Sequence, residues 1–186
     1  DNGLVLADDA DDDERARWLR MAGEVNAELD ACGYPLCKGG IMAGQEACCM
    51  RQNEWRERFR SWIAQGQPED LLNASIYFDF RPLAGNADLV TPLYALVREQ
   101  APAHPRFLRL LAENSLRLRP ALNWLGALNT QNDAQGHWLD LKLHGTAVFV
   151  DAARLFVLAK GLHPLGTRTR LEQGAIAIGA GARDGE

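Results

Sequence analysis

The first apolar run, Gly3 to Leu6, is short and reads as the end of a strand. An acidic stretch from Asp8 to Glu14 follows. It suits a loop running into a helix N-terminus, where carboxylates meet the positive end of the helix dipole. Trp18, Ala22, Val25 and Leu29 recur at helical spacing and predict a helix to about Cys32, with Gly33 as its stop. The turn formers in GYPLCKGGIMAG surround short apolar pieces, which predicts a strand or hairpin with a glycine bend. Trp55, Phe59, Trp62 and Ile63 share one side of a second helix from about Asn53 to Ala64, which GQPED breaks.

The stretch ASIYFDFRPLAG is β-rich and bounded by turns, so it predicts a buried strand. Alternation would put Ile76, Phe78 and Phe80 on one face, with Tyr77, Asp79 and Arg81 on the other. From about Asp88 the periodicity is helical. Leu89, Leu93, Leu96 and Val97 form one stripe, and Phe107, Leu110, Leu111 and Leu118 another. NTQNDAQGHW reads as a polar loop, and LDLKLHG leads into a helix from about Thr146 to Lys160. The last segment begins as a helix at TRTRLE and then dissolves into Gly and Ala. These patterns predict a mixed α/β part followed by an all-helical part, divided near residues 86 to 90.

Composition narrows the function classes. A chain of 186 residues with 47% hydrophobic and 24% charged residues can bury a core as one or two domains. A formal net charge of -5 argues against a broad nucleic-acid-binding face. No apolar run reaches the roughly 18 to 20 residues that span a bilayer, and no basic n-region precedes an apolar h-region. Cys32, Cys37, Cys48 and Cys49 lack the paired spacing of a zinc site, and adjacent cysteines rarely bridge each other. Free thiols and a reducing, cytoplasmic compartment are the expectation.

Most tempting motifs have a plainer reading. ADDADDDE lacks the alternation, the glycine and the closing glutamate of a calcium loop, so it reads as a solvated helix start. EWRERFRSWI mixes signs and reads as a helix with aromatics inward and Arg–Glu pairs outward. His104, His137, His144 and His163 are scattered, and no nucleophile elbow, phosphate loop or dinucleotide fingerprint is present. Asp1 and Asp79 remain, each on or beside a predicted strand. Close carboxylates can hold divalent cations for phosphoryl transfer, whereas two isolated aspartates can equally be structural, Asp79 with Arg81 above all.

The stretches DNGLVL, CGYPLCKGGIMA, EWRERFRSWI and ASIYFDFRPLAG, in this order, resemble the nucleotidyltransferase domain often found behind CBS and cyclic-nucleotide-binding domains. That domain is similar to the nucleotidyltransferase part of the protein-PII uridylyltransferases, within the DNA polymerase β superfamily. LDLKLHGTAVFVDAARLFVLAKGL followed by TRTRLE resembles the helical, substrate-binding-like domain that follows it. The fold this implies is α+β: part of a polymerase β-like mixed sheet with helices over residues 1–88, then an all-α helical bundle over 89–186, incomplete at its C-terminus.

The resemblance also implies site roles. The family's first motif is a Gly-Ser turn followed by a strand with two aspartates one residue apart, continuing as Asp-Asn-Gly/Ala-Leu. Asp1-Asn2-Gly3-Leu4 matches the continuation, so Asp1 corresponds to the second aspartate and the chain reads as truncated before it. Asp79 matches the third carboxylate. Asp1 and Asp79 would then be the catalytic and Mg²⁺-binding residues, with a nucleoside triphosphate as substrate. Lys38, Gly39 and Gly40 could approach the nucleotide, or form an exposed turn; Arg81 could touch phosphate or brace Asp79. The implied activity is Mg²⁺-dependent transfer of a nucleotidyl group to a protein or small acceptor, a PII-like protein among them, with this piece inactive alone. The alternative is a regulatory or nucleotide-binding module that retains the fold without catalysis. CBS or cyclic-nucleotide-binding domains upstream are the expected neighbours, with neither nucleic acid nor membrane as a partner.

Overall fold

A computed structural model describes residues 1–117, 121–123, 125–128, 130–134 and 136–179. Its fold is α+β and rich in helix. The chain divides into two units that interleave along the sequence, one of residues 1–60 and 82–96, the other of 61–81 and 97–186. A single division near residues 86 to 90 does not capture that exchange.

The first unit is built on two parallel strands, β1 (Leu4–Leu6) and β2 (Cys49–Arg51). Leu4 pairs with Cys49, Val5 with Met50 and Leu6 with Arg51. Helix α1 (Asp12–Ala31) connects them, as a parallel pair requires a crossover. Its start follows the acidic pattern: the Asp11 side chain accepts from the Glu14 backbone N–H at 2.7 Å, and three acids occupy the first turn. Leu6, Ala10 and Cys49 form a buried cluster with Leu4 and Leu19 against it. Trp55, in α2 (Gln52–Gln65), donates from its indole to the Leu4 carbonyl at 2.9 Å. That hydrogen bond joins the helix to the end of β1.

Two expectations for this unit need correction. GYPLCKGGIMAG forms turns and loop, and the strand comes later, at Cys49–Arg51. The stripe expected to bury α1 is also rotated. Ala22 is buried, but Trp18, Val25 and Leu29 are exposed, and Asn26 is buried in their place. The hydrogen bonds of Asn26, described below, turn that side of the helix inward.

Among its described residues the second unit is mostly helical and includes a small hairpin. It holds the end of α2, then α3 (Pro68–Tyr77), most of α4 (Thr91–Ala103), α5 (Pro105–Ser115), α6 (Ala147–Ala159) and α7 (Thr167–Ala177). A π-helical turn over Lys142–Thr146 leads into α6. Phe78 and Phe107 are each 1% exposed, with ring centroids 6.2 Å apart, and Trp62 packs on Tyr77 and Phe78. NTQNDAQGHW, expected as a loop, holds the antiparallel hairpin β3 (Gln131–Asp133) and β4 (Gly136–Trp138). Leu118 and the closing residues from 180 onward lie outside the described residues.

The strand expected at ASIYFDFRPLAG is not formed: Ala74 to Tyr77 close helix α3, and Asp79 lies in the turn after it. The reason is upstream. Pro68 occupies the first helical turn, and Gln67 and Asp70 form a reciprocal capping box. A helix nucleated there continues through the β-rich residues because Leu71, Ala74 and Phe78 bury one side of it.

Candidate functional site

In the first unit the structure brings Asp1 together with the loop that carries Lys38, Gly39 and Gly40. The Asn2 backbone N–H donates to the Ile41 carbonyl at 3.2 Å. The Asn2 side-chain oxygen accepts from the Ala43 N–H at 2.7 Å and from the Asn26 amide at 3.2 Å. Asn26, 5% exposed, in turn accepts from the Gly44 N–H at 3.0 Å. The loop is thus fastened at one side to the residues before β1 and at the other to α1. Gly44 allows the closest approach: a Cβ there would stand 2.8 Å from the Gly23 Cα.

Lys38, Gly39 and Gly40 sit exposed at the tip of this fastened loop. Gly40 has φ +71°, a left-handed turn that L side chains rarely adopt. Beside them Cys37 is half-buried, and the backbone N–H groups of Ile41 and Gly39, more weakly Gly40, hold its thiol below the usual range despite burial. Several N–H groups converging on one sulfur make a local positive environment of the sort that also receives phosphate oxygens. Asn2, Asn26 and Cys37 were not singled out from the sequence. Asn26 had a signal, being a polar residue one turn from Ala22 on the buried side of the helix.

Asp79 belongs to the second unit, so the two expected metal carboxylates fall in different units. Its partners are two arginines. Arg154, on α6, donates from Nη2 to Oδ2 at 2.8 Å, with Nε 3.4 Å from Oδ1. Arg170, on α7, donates from Nη2 to Oδ1 at 2.5 Å and from Nη1 to Oδ2 at 3.2 Å. Burial alone would raise the Asp79 pKa, but the hydrogen bonds and charges of Arg154 and Arg170 outweigh it and hold the carboxyl below its ordinary range. The bracing expected from Arg81 comes from these two residues instead, and Arg81 is exposed. His163 completes the turn: its Nε2–H donates to the Phe78 carbonyl at 2.5 Å, and burial lowers its pKa.

The expected Mg²⁺ finds no assembled donor set. Among the described residues no three of His, Cys, Asp and Glu gather as a metal site. Asp1 is an exposed carboxylate, and both Asp79 oxygens already accept guanidinium N–H groups. Also among the described residues, all four cysteines are free, and no helix is long and apolar enough to cross a membrane.

Residues 1–69 match the family described as putative nucleotidyltransferase DUF294. Residues 105–184 match the one described as putative nucleotidyltransferase substrate binding domain. No curated protein and no solved structure matches the chain. The first match contains Asp1 and the Lys38–Gly40 loop, and the second contains Arg154 and Arg170; Asp79 and Arg81 lie between them. The chain is therefore similar, in order, to a putative nucleotidyltransferase domain and to its substrate-binding companion.

Proposed function

We propose that this chain serves nucleotidyl transfer of the signalling type. A nucleoside triphosphate binds against the Lys38–Gly40 loop beside Asp1, and its nucleotidyl group passes to a protein or small acceptor. The observation that carries this reading is the fastening of the loop. Asn2 and Asn26 hold Ile41, Ala43 and Gly44, so the exposed glycines and Lys38 stand next to the start of β1. The exposed ammonium of Lys38 on a glycine turn suits triphosphate oxygens, and a rigid base limits the entropy lost on binding. Mg²⁺, when bound, would neutralise charge developing on the phosphates. Asp1 would be the carboxylate that faces it. The helical unit would present the acceptor, a PII-like protein being the one the resemblance suggests. CBS or cyclic-nucleotide-binding domains in the whole protein would regulate transfer, in the cytoplasm.

One observation favours a second reading, a nucleotide-binding module without catalysis: the Asp79 carboxylate is committed to arginines. Titration with a fluorescent nucleoside triphosphate tests both. Lys38→Ala should weaken binding by about tenfold, the worth of one charge-assisted contact. Equal affinity in the two proteins would remove the loop from the site. Binding without transfer of label to any acceptor in the whole protein would select the module.

A further inference from the structure

Asp79 is the residue on which resemblance and structure part. Resemblance makes it a metal ligand; the structure makes it the shared acceptor of two buried guanidinium groups. A carboxylate offers about four lone-pair sites. Arg154 and Arg170 direct four N–H groups at them, two from each side chain. The third nitrogen of each arginine is also engaged. Arg154 donates from Nη1 to Asp151 at 2.8 Å, and Arg170 from Nε to the Pro164 carbonyl at 2.8 Å. The Arg170 side chain is 3% exposed and that of Arg154 11%, so neither cation can turn to water for compensation. A divalent ion on an Asp79 oxygen, at about 2.1 Å, would stand against two fixed positive charges. Asp79 also lies beyond residue 69, where the nucleotidyltransferase match ends.

We infer that Asp79 is a positioning residue of the helical unit, fixing α6 through Arg154 and α7 through Arg170 upon the turn after α3, and that it holds no divalent cation. The role is independent of whether the first unit transfers nucleotides. Its chemistry is that of a buried ion triad. Losing Asp79 leaves Arg170 unpaired and Arg154 with Asp151 alone, whereas losing all three charges together leaves only the part-exposed Asp151 carboxylate. His163 supports the same turn by donating to the carbonyl of Phe78, the preceding residue.

The test uses the whole chain. Asp79→Asn should lower the thermal midpoint by roughly 10 °C. Arg170→Met should also lower it, and the double variant should lose clearly less than the sum of the two, because the residues act as one unit. Mn²⁺ titration, followed by water-proton relaxation, should give the same affinity, within twofold, for the wild type and Asp79→Asn. An unchanged midpoint in Asp79→Asn would overturn the inference. So would additive losses, or a tenfold weaker Mn²⁺ affinity in a folded Asp79→Asn protein. If Asp79→Asn fails to fold, the apolar triple variant Asp79→Leu, Arg154→Met, Arg170→Met decides the matter. A cooperative unfolding transition in it supports the triad, and continued failure to fold overturns it.

Discussion

At the scale of single residues, Asp79 sets a pH dependence. Its folded pKa lies below the unfolded value of 3.8, so its stabilisation is complete well above that value. As pH falls below about 4 the unfolded chain takes up the proton first, and the contribution disappears on passing the folded pKa. The side chain is 29% exposed and still largely shielded, which puts the effect of breaking the pair on the order of 3 kcal/mol. Urea midpoints measured from pH 7 to pH 2 should therefore fall more steeply in the wild type than in Asp79→Asn. Parallel curves would show that Asp79 does not drive the acid transition. The two asparagines of the first unit act differently, being neutral. Asn2 and Asn26 hold the loop through hydrogen bonds that pH does not touch over this range.

At the scale of elements, local sequence chemistry explains starts better than it explains ends or faces. Helix α1 begins where Asp11 can cap it, and Asp11→Ala should cost about 1 kcal/mol, read as a shift in the chemical denaturation midpoint. A loss under a few tenths would mean that the three acids of the first turn hold the start without the cap. Much of this level was legible in advance. The Gly3–Leu6 strand, the acidic start of α1, the aromatic side of α2 and the helical run after residue 88 follow from periodicity and caps. The missed strand at ASIYFDFRPLAG shows the limit. β-branched and aromatic residues there favour a strand locally, but a capping box and Pro68 six residues upstream of Ala74 start a helix that runs through them. The hairpin at Gln131–Trp138 was missed for the opposite reason: its residues are polar, and pairing needs no apolar pattern to form.

At the scale of the whole molecule, charge and exposed apolar surface govern behaviour in solution. The chain has a formal net charge of -5 and a pI of about 5.4. Trp18, Met21, Val25 and Leu29 leave an apolar stripe of α1 exposed. Near the pI the repulsion that keeps such surfaces apart vanishes, so light scattering should rise to a maximum around pH 5.4 and fall on either side. Scattering that is flat across that pH would show that the stripe does not govern association.

The sequence by itself determined most of the helices, α3 excepted, the acidic start of α1, the negative charge and the wording that resembles a nucleotidyltransferase followed by a helical companion. These are local properties, set by neighbours three or four residues apart or by identity along the chain. It marked Asp1, Lys38, Gly39 and Gly40 as candidates; the last three share one loop, which hydrogen-bonds to Asn2, the residue after Asp1. Only the tertiary structure decided which side of α1 is buried, through Asn2, Asn26 and the contact of Gly44 with Gly23. It alone decided what Asp79 touches. Arg154 and Arg170 lie 75 and 91 residues away along the chain, and no period or spacing joins groups at that separation. Packing brings them together because Asp79 sits at the turn where both helices can reach it, giving Arg170 its partner and Arg154 a second one beside Asp151.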